Sequence, residues 1–525
     1  MNRTTVNQIT SIPSKIYCCL WLIGVIPLNL YAQKSYQPPY FEDTNRLTKI
    51  KKAIPAIEEL YKRYAEKNNF PGFVFGVVVD GNLVYAGNTG YTNLEKRTAV
   101  NTKSVFRIAS MTKSFTAMAI LKLRDEGKLN LDDPVSKYIS QFKKVQTLTN
   151  DSPPITIRHL LTHSAGFPED NPWGDRQLAD TDAELLQLIE GGITFSNAPG
   201  LQYEYSNLGF ALLGNIVTKV SGKPYQQYIM ETICKPLGMT GTYWEYTKVP
   251  TDQLAHGYRR LNDQWQEETL LHDGSYGAMG GMLTSIEDFS RYMALHLQAW
   301  PPRDEADNGI IKRASLREMH QLGRINILNA QYKYPGGRLC PTVSGYNFGL
   351  RWAKDCDNRM SVGHSGGLPG FGSNWSILPD YGYGIGVVCF SNLTYAPTGV
   401  INIQVLDSLI TLAELKPRKL PVSSILKKRK NEIIELLPDW KNALSSGIFA
   451  GNFFPDNPLE ILKTQSAEVF ANTGKIIKVR EIIPENQLRG VFIMEGEKAD
   501  IQVSFTLTPE KNPLIQEFHI NSVKK

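Results

Sequence analysis

Ser110-Met111-Thr112-Lys113 sets a hydroxyl and an amine three residues apart. On a helix those two side chains share one face, so the amine can sit beside the serine oxygen. The pairing matters because an unassisted serine hydroxyl is a poor nucleophile and needs a neighbour to take its proton. A helix N-terminus at the same place adds partial positive charge near a developing alkoxide. The chemistry implied is attack of Ser110 on a carbonyl, leaving an acyl group on the serine. Spacing by itself is weak support, because Ser140/Lys143, Ser424/Lys427 and Ser522/Lys525 repeat it.

Two further groups follow in chain order: Tyr205-Ser206-Asn207, and then His364-Ser365-Gly366-Gly367. His364 leads through a glycine-rich turn into Ser373–Leu378, which reads as a strand. Tyr91-Thr92-Asn93 precedes the serine and His272-Asp273-Gly274 lacks a following strand, so neither fits the same order. Penicillin-recognising enzymes carry Ser-x-x-Lys, a Tyr-x-Asn or Ser-x-Asn loop and a Lys-Thr-Gly strand in this sequence. The likeness widens at His159–Pro168, at Tyr205–Phe210 with Leu213-Gly214 and Pro236–Met239, at Gly280–Asp288 and at His364–Pro379. On these segments the chain resembles the β-lactamase-related serine hydrolases from about Phe41 to Leu415. That family includes class C β-lactamases, D,D-peptidases, esterases and D-aminopeptidases.

The resemblance implies roles for the matching positions. Ser110 attacks the carbonyl, and Lys113 holds the serine in register and eases loss of its proton. Tyr205 acts as general base, as phenolate or through a shared proton, and returns the proton to the leaving group. Asn207 binds substrate or Lys113, His364 and Ser365 contact substrate beside Gly366, and the N–H groups of Ser110 and Gly367 form the oxyanion hole. The third group departs from the family pattern. Lysine there is a permanent cation suited to a substrate carboxylate, whereas His364 is charged only part of the time near neutral pH. That favours ester, amide or D-amino-acid peptide cleavage over β-lactamase or D,D-peptidase activity. Acyl transfer from the same acyl-enzyme stays open, as does a protein that binds cell-wall fragments or a partner without turnover.

The elements that position these residues read as α+β. An amphipathic helix from Asn45 to Lys67 carries Ile50, Ile54, Ile57 and Leu60 at helical spacing. Phe73–Val79 and Leu83–Ala86 form a hairpin through Asp80-Gly81. Helices are expected over Ser110–Glu126, Thr181–Glu190, Gly209–Ser221, Ser285–Gln298, Ala314–Gln321 and Thr398–Leu415. Strands are expected over Phe348–Ala353, Gly372–Leu378 and Gly384–Phe390. Terminal segments that build one sheet, with a helical insertion between them, match a class C β-lactamase-like fold: an antiparallel sheet flanked by helices plus an all-helical lobe. Residues 41–415 form this domain, 416–431 a linker with the solvated run Lys427-Lys428-Arg429-Lys430, and 432–525 a small α+β module of one helix and four strands. The loops Phe167–Asp180 and Ile325–Pro341 shape specificity, and Glu169-Asp170-Asn171 makes a polar entrance.

Composition bounds the rest. Of 525 residues, 42% are hydrophobic and 21% charged, an ordinary globular balance. A net charge of +6 gives no reason to expect nucleic acid. Residues 1–32 read as a signal peptide, with Arg3 and Lys15 before the short apolar run Ile16–Ile26 and a small residue at Ala32. The protein is therefore expected to be exported, periplasmic or secreted, with no stable membrane span once that segment is removed. Cys340 and Cys356 flank a strand pair and could join in an oxidising compartment; Cys389 reads as a buried hydrophobe. His159 and His163 lack the glutamate and third ligand of a metal pair, so no metal or cofactor is expected. The expected partner is a small-molecule or peptide acyl substrate, with a homo-oligomer through the C-terminal module left open.

Overall fold

The unbroken apolar run Gly72–Val79 decides the architecture, because every residue of this strand is buried. Its odd-numbered side chains Phe73, Phe75, Val77 and Val79 enter one apolar cluster, and Val74 and Val78 enter another. A strand with cores on both faces must lie inside a sheet covered on both sides. The computed structural model, which describes residues 36–307, 309–379 and 382–525, has that arrangement. The signal-peptide segment 1–32 lies outside the described residues.

The strands, in chain order, begin with β1 (Gly72–Val79), β2 (Asn82–Asn93), β3 (Thr98–Ala99) and β4 (Phe106–Arg107). A hairpin of β5 (Gly257–Leu261) and β6 (Gln264–Glu268) and the short β7 (Leu283–Thr284), which pairs with β4, follow. The remaining strands of the large sheet are β8 (Arg324–Asn329), β9 (Thr342–Asn347), β10 (Leu350–Asp355), β11 (Met360–Leu368), β12 (Phe371–Leu378) and β13 (Ile385–Ser391). Nine strands pair in the order β3-β2-β1-β13-β12-β11-β10-β9-β8, and all neighbours are antiparallel.

Helix Arg46–Lys67 covers one face of the sheet with Ile50, Ile57 and Tyr61, beside helix Thr398–Leu412 with Ile401, Val405 and Leu409. The Tyr61 ring stacks on Phe75 at 4.2 Å, and its hydroxyl donates to Asn402 at 2.7 Å. Burying each of these apolar side chains contributes about 1.5–3 kcal/mol. The other face meets helix Ile286–Gln298 through Phe289 and Met293. The helical lobe continues that core, with helix Lys113–Asp125 packed on helix Asn207–Ser221.

A second sheet is built from β14 (Ile476–Val479), β15 (Ile483–Pro484), β16 (Arg489–Gly496), β17 (Ala499–Leu507) and β18 (Ile515–Lys524). Helices Ser424–Leu436 and Leu459–Thr473 accompany it, and its core contains Leu426, Trp440, Phe492, Phe505 and Phe518. By contacts, residues 37–525 form one compact unit.

Two expectations need correction. The basic run 427–430 is not a solvated linker but part of helix Ser424–Leu436. Arg429 is buried and donates to the Pro513 carbonyl at 2.8 Å and to Glu432 at 2.7 Å, while Lys430 donates to the Arg480 carbonyl at 2.7 Å. Buried cations are tolerated there because each has oxygen partners. The glycine-rich turn between His364 and Ser373 lies at Pro369-Gly370, and His364–Gly367 itself belongs to β11. The segment after Ile325 is not a loop throughout, because Arg324–Asn329 forms the edge strand β8.

Cys340 and Cys356 form a disulfide with a sequence separation of 16, joining the entry to β9 with the β10–β11 connection. Closing a loop of this length restricts the unfolded chain by about 3 kcal/mol in the chain-entropy account. The Cys340→Ala/Cys356→Ala variant is expected to lose about 2–3 kcal/mol of unfolding free energy in urea titrations, with reductant lowering the wild-type midpoint similarly. An unchanged midpoint under both treatments would contradict this.

Candidate active site

Ser110 sits in the 3₁₀ turn Ala109–Thr112, and Lys113 opens the α-helix Lys113–Asp125. The chain enters this turn through Ala109, whose φ of 49° is left-handed and unusual for a residue with a side chain. Two contacts hold that geometry. The Ile108 N–H donates to the Met282 carbonyl at 3.0 Å, and the Ser373 hydroxyl of β12 donates to the Ile108 carbonyl at 2.7 Å. Gly366 on β11 explains why glycine recurs there: a Cβ would lie 2.3 Å from the Ile108 carbonyl oxygen. The strand can carry no side chain where the nucleophile turn crosses it.

Lys113 has no solvent exposure. Its ammonium donates to Ser110 Oγ at 3.0 Å, Asn207 Oδ1 at 2.7 Å and the Met279 carbonyl at 3.0 Å, which accounts for all three protons. Burial pushes its pKa down to about 7, against the pull of Asp175, Asp170 and Glu169 and with the help of Arg351. Tyr205 is buried beside it, with Lys113 Nζ 4.8 Å from the ring centre. Burial holds the Tyr205 phenol well above its ordinary range, although Arg351 and a hydrogen bond with Ser110 act the other way.

Asn207 is the first residue of helix Asn207–Ser221, whose N-cap is Ser206. The short stretch Asp170–Asp175 wraps this helix start. Asp170 accepts from Asn207 N at 2.6 Å, Leu208 N at 2.9 Å and the Ser206 hydroxyl at 3.1 Å, supplying a carboxylate to otherwise unpaired helix donors. The Asn207 amide nitrogen faces Asn171 Oδ1 at 3.2 Å and Asp175 Oδ1 at 3.5 Å.

A cavity of about 350 Å³ opens on these groups. Ser110 and Tyr205 line it, with Ser365 and Gly367 of β11 opposite, Arg351 of β10, Tyr395, and Asn171, Pro172 and Asp175. Among the expected site residues, His364 is not in this lining. It is buried, and its Nδ1–H donates to the Ser365 carbonyl at 2.5 Å, leaving Nε2 to accept from the Tyr346 hydroxyl at 3.0 Å. Burial, then Arg351 and Lys113, hold its pKa well below the usual histidine value, so it is a neutral ring in the cavity's supporting layer.

Sequence reasoning did not single out Arg351, Asp175, Tyr395 or Tyr346. The polar run at Glu169–Asn171 and the specificity loop Phe167–Asp180 were the signals for the Asp170–Asp175 turn. His159 and His163 serve separate donors, Thr156 N at 3.3 Å and Ser206 N at 3.1 Å. Among the described residues the group close enough to hold a metal is Cys340, Cys356 and Asp357, and its two cysteines are joined to each other.

A large antiparallel sheet with helices on both faces and a helical lobe, bringing Ser-x-x-Lys against Tyr-x-Asn, defines the penicillin-binding and β-lactamase class of fold. The chain matches the Beta-lactamase family over residues 57–408 and belongs to it. It is similar to Protein flp of Staphylococcus aureus (strain N315), with 28% identity over 385 residues, 72% of this chain and 70% of that protein. Beta-lactamase-like protein 2 of Dictyostelium discoideum is 31% identical over 290 residues, 54% of this chain and 52% of its own. The octameric penicillin-binding protein homologue from Pyrococcus abyssi shares the fold at a TM-score of 0.57 and 22% identity, over 90% of this chain and 96% of that one. A penicillin-binding protein from Bacillus halodurans does so at 0.53 and 23%, over 67% and 98%.

Because three donors end on one carboxylate, Asp170→Ala should cost more stability than loss of the Ser206 cap alone. The expected losses are about 2 kcal/mol or more for Asp170→Ala and about 1 kcal/mol for Ser206→Ala, read from denaturant midpoints. Equal losses would remove Asp170 as the principal cap.

Proposed function

We propose that this protein is an exported serine hydrolase that cleaves an ester or amide through an acyl-enzyme on Ser110. The observation that carries the reading is the buried Lys113 amine at 3.0 Å from Ser110 Oγ in the wall of an open cavity. An ordinary lysine is almost wholly protonated at pH 7, whereas an amine brought down to about 7 has a large neutral fraction there. The neutral amine takes the Ser110 proton as Oγ attacks the acyl carbonyl. Tyr205 begins as a phenol, because burial raises its pKa; it passes its proton to the leaving oxygen or nitrogen and takes the serine's proton from the Lys113 ammonium, which leaves both groups as they started. The N–H groups of Ser110 and Gly367 receive the oxyanion. Water then attacks the acyl carbon, giving up a proton to Lys113 that passes to Ser110 Oγ as the acid is released.

Arg351 supports a substrate with an anionic group. It is exposed at the cavity wall and permanently charged, the property His364 lacks. The Cys340–Cys356 disulfide, together with the apolar N-terminal run, supports export.

Intact-protein mass spectrometry after treatment with a fluorophosphonate, an activated ester or benzylpenicillin should show one adduct, absent in Ser110→Ala. No adduct on folded protein from any reagent would remove the hydrolase reading. The labelling rate should climb between about pH 6 and 8 as Lys113 loses its proton, and Lys113→Met should slow it by about 10²–10⁴-fold. Arg351→Ala should penalise a carboxylate-bearing ester about tenfold more than its neutral counterpart, a difference of about 1.4 kcal/mol in kcat/KM. Equal penalties would assign Arg351 no part in substrate choice.

A further inference from the structure

We propose that Asp175 is a positioning residue for acylation: its carboxylate fixes the orientation of the Asn207 amide and sets the charge state of Lys113. The inference rests on the reading that Ser110 is the nucleophile and Lys113 its base.

Geometry gives the first half of the argument. Asp175 is almost wholly buried yet lies on the cavity wall. One carboxylate oxygen accepts from the Tyr395 hydroxyl at 3.0 Å, and the other faces the Asn207 amide nitrogen at 3.5 Å. An ionised carboxylate accepts and cannot donate, so it requires the NH₂ end of Asn207 on its side. Asn171 Oδ1, at 3.2 Å, makes the same demand. The amide then has one way round, with Oδ1 toward Lys113 Nζ at 2.7 Å. Gly174 lets the turn close on this amide, because a Cβ there would stand 2.7 Å from Asn207 Cβ. A relay therefore runs from Tyr395 through Asp175 and Asn207 to Lys113 and Ser110.

Charge gives the second half. The groups facing Lys113 are the carboxylates Asp175, Asp170 and Glu169, the Arg351 guanidinium, the neutral rings of His163 and His364, and the Tyr205 phenol. Asp170 is committed to the helix start, and Glu169 acts least of the three carboxylates. Asp175 is the largest influence favouring the ammonium. It faces in turn Lys113, Tyr395, Asp170 and Arg176. Burial alone would leave Lys113 a weaker base. A nearby negative charge restores basicity, and proton transfer to a stronger base is faster once that base is unprotonated.

The test is the pH dependence of Ser110 labelling by a neutral activated ester in wild type, Asp175→Asn and Asp175→Glu. In parallel, the Lys113 side chain is titrated by NMR of ¹³Cε-lysine protein, its resonance assigned by its loss in Lys113→Arg. Asp175→Asn keeps the size of the side chain and removes its charge. It is expected to move both midpoints to lower pH by at least ~0.5 unit and to lower the plateau rate several-fold. Asp175→Glu should return the midpoints toward wild type. A purely structural role would lower the rate at every pH without moving either midpoint, and that result would overturn the proposal. If Asp175→Asn does not fold, Tyr395→Phe takes its place. Loss of its hydroxyl makes the Asp175 carboxylate easier to protonate, so the midpoints should move the same way by less, and unmoved midpoints overturn the proposal. Wild-type protein that never labels would end the Ser110 reading, while the NMR titration would still decide whether Asp175 sets the charge on Lys113.

Discussion

An amine in a protein interior loses the water that would solvate its charge, and unless oxygens replace that water it gives up its proton instead. Lys113 is held between these outcomes. Three oxygens reach its ammonium, from its own helix start at Ser110, from the start of helix Asn207–Ser221 and from the Met279 carbonyl. No two of the three come from the same segment. The nucleophile's environment therefore exists only when the 3₁₀ turn, the start of helix Asn207–Ser221 and the short helix Gly277–Gly280 that holds Met279 are assembled together. That requirement explains why so little of the lobe around the amine is exposed and why Thr116 and Asn207, both polar, are buried with it. Thr116 donates to the Ala278 carbonyl at 2.7 Å, tying the same helix to the segment that supplies Met279.

The sheet contributes a boundary condition. A non-glycine residue in the left-handed region costs on the order of 1–2 kcal/mol, and Ala109 accepts that cost immediately before the nucleophile. The strain persists because neighbours determine the position from both sides: Met282 and Ser373 through hydrogen bonds to Ile108, and Gly366 through the absence of a side chain. β11 and β12 thus do more than flank the cavity. They press the nucleophile turn into the conformation that lets Ser110 and Lys113 face one another within a single helical turn.

Much of this was legible in the sequence, and what was not has physical reasons. The continuous apolar run Phe73–Val79 before Asp80-Gly81 and the helical spacing of Ile50, Ile54, Ile57 and Leu60 are direct signals, and they correspond to β1 and helix Arg46–Lys67. Ser110, Lys113, Tyr205 and Asn207 stood out because three short motifs occur in one order, and the fold brings these four together. Arg351 left no comparable trace. A single arginine in a strand looks the same whether it faces solvent or a cavity, and only the pairing of β10 with β11, Arg351 opposite Gly363, puts it at the site. The glycines between His364 and Ser373 do two different jobs. Glycine marks both tight turns and close backbone approach, and Gly366 does the second. The run Lys427–Lys430 was misread because solvation is the ordinary fate of clustered cations, and the carbonyls that neutralise it lie 50 and 84 residues away in the chain.

The neutral histidine in the third motif becomes intelligible from the charges around it. His364 lies in a buried aromatic group with Tyr346 and Tyr205, their ring centres 5.6 and 6.2 Å from its own. A lysine there would place a second buried cation next to Lys113, and each would discourage protonation of the other. In this chain the permanent cation stands instead on the neighbouring strand, where Arg351 keeps solvent contact while its guanidinium lies 5.7 Å from the Tyr205 ring. Solvent carries part of the cost of that charge, and beside the nucleophile the buried cation is Lys113 with its carboxylates. Separating the two cations leaves the inner one to act as a titrating base and the outer guanidinium to face the cavity, so that proton transfer and anion recognition need not compete for the same group.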